Sequence, residues 1–228
     1  MKKRFSRAIV AALALASPLA MAHQAGDIVV RAGAVTVDPH EKSSKIYVGA
    51  LGTKVAGTKA TLDSNTQLGL NFVYMFSDYL GVELLAATPF KHNVGVKGFP
   101  GMFSGLNGKL GTTRHLPPTL SVVYYPFGNS DVVQPYLGAG VNYTWFFDDK
   151  LGGAAKSKGF RGLDVKDSLG WAAQIGMDID LGDNFLFNAQ LRYIDIETTG
   201  TTNILGNKVK VDLDIDPLVY MMGVGYKF

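Results

Sequence analysis

The run from Tyr220 to Phe228 alternates strictly: Tyr220, Met222, Val224, Tyr226 and the terminal Phe228 share one face, and Met221, Gly223, Gly225 and Lys227 the other. An alternating strand with a wholly apolar face that ends on an aromatic carboxyl terminus suits one wall element of a transmembrane β-barrel. A soluble sandwich also accommodates one amphipathic strand, so the rest of the chain has to discriminate. Residues 1–22 combine a basic start (Lys2, Lys3, Arg4, Arg7), the short apolar stretch 8–16 and the small-residue site Ala20-Met21-Ala22. They read as a cleaved secretory signal ahead of a single domain at 23–228.

That leader holds four of the 22 basic side chains and none of the 19 acidic ones. The remaining chain is therefore close to neutral, and its charge points to no nucleic-acid partner. Beyond residue 22 no apolar run approaches the ~20 residues of a membrane helix. Cysteine is absent, which removes disulfides, thiolate metal sites and cysteine nucleophiles together.

Period-two patterning predicts eight strands, near residues 27–38, 65–76, 80–90, 118–126, 134–147, 164–181, 184–198 and 209–228. The expected fold class is all-β, an eight-stranded antiparallel transmembrane β-barrel with short periplasmic turns and long extracellular loops at 39–64, 91–117, 148–163 and 199–208. The second long loop is rich in Gly and Pro and is expected to lack a single conformation. On the strands Leu68, Leu70, Phe72, Tyr74 and Phe76 oppose Gln67, Gly69 and Asn71, while Leu137, Val141, Tyr143 and Trp145 oppose Gly138, Gly140 and Asn142. The apolar rows are expected to meet lipid, because a soluble ligand-binding barrel reverses this sidedness.

The inward rows suggest a site. Arg31, Asn71 and Glu83 fall a few residues above the periplasmic rim, where opposite charges can pair across an interior narrow enough to be filled by side chains. A plugged floor is the expected result, and a structural role is its simplest reading. Pro89 shares parity with Glu83 and Leu85. Lacking an N–H, it either ends its strand or loosens the wall.

No catalytic or metal-binding constellation is expected, and no cofactor is implied. Asp212, Asp214 and Asp216 begin like a calcium loop, but Pro217 takes the position that needs glycine. His23, His40, His92 and His115 lack metal-ligand spacing and read as surface residues. His92, Ser104 and His115 share a loop, yet no nucleophile elbow accompanies them.

The runs 82–90 (VELLAATPF), 116–120 (LPPTL), 134–144 (QPYLGAGVNYT), 166–168 (KDS) and 211–228, taken in order, resemble the outer-membrane protein W (OmpW) family, its OprG-type members above all. The resemblance covers nearly all of the chain after residue 24. It implies a barrel in the outer membrane of a Gram-negative cell, inserted by the barrel-assembly machinery, that passively admits small hydrophobic or amphipathic molecules through a lateral opening. By the same resemblance Leu85 matches the leucine that narrows the channel and Pro89 the proline at the lateral opening. Arg192 stands where close relatives carry a lumenal tryptophan. Outer-membrane lipid, lipopolysaccharide and small hydrophobic solutes are the expected partners. The alternative is a structural or surface-interaction barrel, contacting lipopolysaccharide, host or phage without transport.

Overall fold

The computed structural model describes residues 23–127 and 132–228. The leader read at 1–22 lies outside the described residues. In chain order the strands are β1 (Ile28–Asp38), β2 (Lys42–Ser43), β3 (Tyr47–Val48), β4 (Thr53–Lys54), β5 (Lys59–Leu62), β6 (Asn65–Met75), β7 (Leu80–Ala87), β8 (Phe90–Lys97), β9 (Gly108–Leu116) and β10 (Thr119–Tyr124). They continue as β11 (Val133–Leu151), β12 (Phe160–Val165), β13 (Ser168–Gly182), β14 (Phe185–Ile194), β15 (Glu197–Ile204), β16 (Asn207–Asp214) and β17 (Leu218–Lys227).

Eight of these close a barrel in the order β10-β7-β6-β1-β17-β14-β13-β11, with β10 pairing back onto β11. All the pairings are antiparallel, as closure without a free edge requires in lipid. The alternation resolves as expected. Leu68, Tyr74, Leu137, Val141, Trp145, Leu169, Trp171, Ile175 and Met222 are exposed on the outer wall, whereas Asn71, Asn142, Gln174, Asn188 and Gln190 are buried inside. Aromatic pairs flank the apolar band. Trp145–Phe147 and Trp171–Tyr193 lie at the exterior side, Phe185–Tyr226 and Tyr226–Phe228 at the periplasmic side.

The long loops are more ordered than their composition suggests. Residues 90–116 form the hairpin β8–β9, which joins β5 on one side and the upper half of β11 on the other. A second sheet, β12-β15-β16-β3-β4 with β2 on β16, faces it. These two sheets prolong the barrel outward around an apolar interior that includes Ile46, Val96, Leu110, Phe160 and Val209. Burial of that face, absent from a local reading of Gly and Pro content, is what orders the segment.

Where the sequence reads single strands over 80–90, 164–181, 184–198 and 209–228, the chain breaks. The interruptions fall at Thr88–Pro89, Lys166–Asp167, Asp195–Ile196 and Ile215–Pro217, between the barrel and the outer sheets. They form a waist. Among the described residues β11 alone runs unbroken through it, with a register shift between Phe147 and Lys150 and a positive φ of 55° at Asp148.

The seam between first and last strands runs from Val29↔Lys227 to Asp38↔Leu218. Halfway along it Gly33 faces Gly223, and a Cβ on Gly33 would stand 2.1 Å from the Met222 carbonyl oxygen. That neighbour is backbone, so a side chain can enter only by spreading the seam. Gly33→Ala is expected to lower the yield of folded barrel, measured by heat-modifiable gel migration. An unchanged folded fraction would show that the seam tolerates the added methyl.

Candidate functional site

Inward side chains from β1, β6, β7, β13 and β14, with Tyr125 and Tyr136, form a buried charge layer a few residues above the periplasmic rim. Arg31 of β1 donates from Nη1 to Asn71 Oδ1 of β6 at 3.2 Å and to Glu83 Oε2 of β7 at 3.2 Å. Its Nη2 donates to the Tyr125 hydroxyl at 2.7 Å and pairs with Asp178 of β13. The guanidinium also lies 5.2 Å from the centre of the Tyr136 ring. Glu83 is the second hub. It accepts from Gln174 Nε2 at 2.8 Å and Gln190 Nε2 at 3.3 Å, and it pairs with Arg192. Two arginines and two carboxylates thus balance in a core that supplies further hydrogen bonds, the condition under which buried ion pairs are tolerated.

The structure therefore brings Arg31, Asn71 and Glu83 together, and it adds members. Asp178 lies on the inward row of β13 with Gln174 and accepts from Asn188 Nδ2 at 2.8 Å; its parity was readable, its pairing across the lumen was not. His23, expected at the surface, is buried beneath the layer, with Nε2 3.0 Å from Asp178 Oδ2 and its ring edge-on to Tyr125. Arg192, grouped by the resemblance with the lateral opening, turns its charge to Glu83 and Gln174. Its long side chain lets a residue of the upper wall serve the floor.

Leu85 is buried one inward step above Glu83, in an apolar layer with Phe90, Phe146, Ile194, Ile215 and Met221. Pro89 does not continue the inward row. Between Ala87 and Phe90 the phase slips, leaving Pro89 exposed and Phe90 buried.

At that slip the wall comes apart. The β7–β10 ladder ends at Leu85↔Thr119 and pairing resumes only at Phe90↔His115 between β8 and β9. Neither ladder pairs residues 86–89 with 116–118. The flanking seams hold, since Thr88 N–H donates to the Leu68 carbonyl at 2.9 Å and Tyr143 N–H to the Pro118 carbonyl at 3.2 Å. Pro89 and Pro117 both lie within these unpaired stretches, and neither has an N–H to offer a ladder there.

Just above it His92 and His115 meet, Nε2 to Nε2 at 2.8 Å, between Phe90 and Phe146. Both are buried, against the surface placement expected from sequence. His92 Nδ1 donates to the Asp63 carbonyl, which leaves its Nε2 as acceptor and fixes His115 as the Nε2–H tautomer. Burial, with His92 alongside, holds His115 down at about 3, and burial also lowers His92.

Two outcomes follow from this geometry. Glu83→Gln is expected to cost about 3–5 kcal/mol, because it strands Arg192 in the core, and Arg192→Gln added to it is expected to recover part of the loss. Denaturant unfolding in lipid measures the cycle, and additive effects would show that the pair is not coupled. For the histidines, an unfolded imidazole titrates near ~6.5, so between that value and about 3 the unfolded state binds more protons. Acidification across this window is expected to destabilise the β8–β9 hairpin, and His115→Phe to flatten the dependence, as read by hydrogen exchange.

The OmpW family model matches residues 24–228. Outer membrane protein W of Vibrio cholerae serotype O1 is 43% identical over 216 residues, covering 94% of each chain. The protein of the same name from Escherichia coli K12 is 40% identical over 226 residues, 99% of this chain and 100% of the relative. The crystal structure of outer membrane protein OprG from Pseudomonas aeruginosa superposes with a TM-score of 0.84 at 50% identity, covering 90% of this chain and 97% of that one. With its closed eight-stranded wall, this chain belongs to the OmpW family, as a β-barrel of the Gram-negative outer membrane.

Proposed function

We propose that the barrel is a passive channel for small hydrophobic or amphipathic molecules, which enter between the outer sheets and leave sideways into the membrane through the interruption at 86–89 and 116–118. The observation that carries this reading is the coincidence of two features at one height, an unpaired stretch of wall and a sealed floor directly beneath it.

The outer half supports the same route. A cavity of about 240 Å³ near the exterior tip borders Val96, Leu110 and Val209. The same three residues bound a second, smaller cavity that reaches Leu62, Phe146 and Ile215. Those last three line a third space against His92 and His115. The first two spaces are lined mainly by apolar side chains, and the third lies against the histidine pair that stacks on Phe90. A polar solute has little to bind along this path, while an apolar one exchanges water for side chains throughout. Downward passage requires opening the pairs of Arg31 and Arg192 with Glu83, whereas sideways passage breaks no backbone hydrogen bond of the ladder. Leu85 narrows the space between the two directions.

Uptake of matched apolar and polar solutes by proteoliposomes tests this. Giving the wall two donors with Pro89→Ala and Pro117→Ala is expected to let the ladder close and to slow apolar uptake several-fold while leaving the folded fraction intact. Rates that do not respond would remove the lateral route. Background rates in the parent protein would favour a barrel that only anchors its outer sheets for contacts with lipopolysaccharide or another surface.

A further inference from the structure

We propose that the exterior tip is a capture site for small anionic amphiphiles, carboxylates with a short apolar tail. Two independent patterns meet there. The first is the cavity of about 240 Å³, lined by Leu51, Val96, Phe103, Leu106, Phe160 and Leu205. It is smaller than a drug-sized pocket, and its mouth leaves Leu205 81% exposed. Such apolar exposure at the end of an extracellular structure costs free energy unless something covers it.

The second pattern is charge. Within 42–62, 91–117, 150–163 and 198–211, the four outermost stretches, every formally charged side chain is Lys or Arg. Acidic residues stand instead at the roots, with Glu41 and Asp63, Asp149 and Asp164, and Glu197 and Asp212 bracketing three of these stretches. Solubility is served by mixed signs, and a single sign builds a field that draws opposite charge. Lys158 brings that field to the cavity itself. It lines the wall beside Phe160, with Nζ 3.1 Å from the Asn107 carbonyl oxygen. Lys54, Lys97, Lys109, Arg161 and Lys208, all exposed, each adjoin a lining residue in sequence.

A tail in the cavity and a carboxylate at Lys158 satisfy both patterns at once. A plane of lipid phosphates fits less well, because it would meet the acidic roots before reaching the basic tip. The proposal deepens the channel reading, on which it rests only for the fate of the bound molecule; capture itself needs no transport.

The test uses the full barrel in lipid nanodiscs, titrated with octanoate or 1-octanol and corrected with empty nanodiscs, with methyl NMR shifts of Val96, Leu106 and Leu205 as the readout. Octanoate is expected to bind about threefold or more tighter than the alcohol at low salt. That advantage should vanish near about 0.5 M salt. Lys158→Met should erase it without changing the affinity for 1-octanol, which controls for folding, and Lys158→Arg should retain it. Equal binding of alcohol and carboxylate, or equal weakening of both by Lys158→Met, would overturn the proposal. Selective capture alongside uptake that ignores the proline substitutions would instead remove the lateral route and leave the capture site standing.

Discussion

A backbone N–H in hydrocarbon has no water to turn to, and the rest of this structure depends on that constraint. It demands a closed ladder wherever the wall meets lipid, and it confines interruptions to places where donors are absent or otherwise satisfied. The prolines obey it. Pro89, Pro117 and Pro217 cluster at the waist, where the chain passes from the barrel to the outer sheets, and Pro135 stands near the periplasmic end of β11. Between the third and fourth staves Pro89 and Pro117 both fall in stretches that neither ladder pairs, so the wall there lacks two backbone donors.

The interior is stratified. Val29, Val73, Met75 and Leu186 pack nearest the periplasm, the charge layer lies above them, and the apolar layer of Leu85 and Phe90 closes the waist. Two apolar strata around a charged one explain why Arg31, Arg192, Glu83 and Asp178 must satisfy one another. Each is buried, and each owes its position to a different strand. The layer therefore staples the barrel across its diameter as well as blocking it. His23 extends this staple to the segment that precedes the first strand.

Much of this was legible in the residues. Period two reveals eight staves because lipid demands a continuous apolar row on each, and the inward parity of Arg31, Asn71 and Glu83 follows from counting. What escaped was whatever the period does not encode. Alternation carries on through Lys166–Asp167 and Asp195–Ile196 although the ladder changes partner there, since Asp167 is held by the Phe146 N–H and the Tyr143 hydroxyl. Pro89 lost its expected parity to a slip of one residue. The pairing of Arg192 with Glu83 and Gln174 was not readable, because position on a strand does not fix where a long side chain ends. The buried histidines belong to a hairpin that composition described as irregular, and its order comes from contacts remote in sequence.

Because, among the described residues, β11 alone crosses the waist without interruption, the outer sheets share one continuous strand with the barrel and join its other seven staves through short non-strand links. The bulge at Asp148 lies on that one continuous strand, where the direction of the barrel wall is handed on to the outer sheets. Lengthening any other link would slacken this join, whereas altering the bulge would re-aim it.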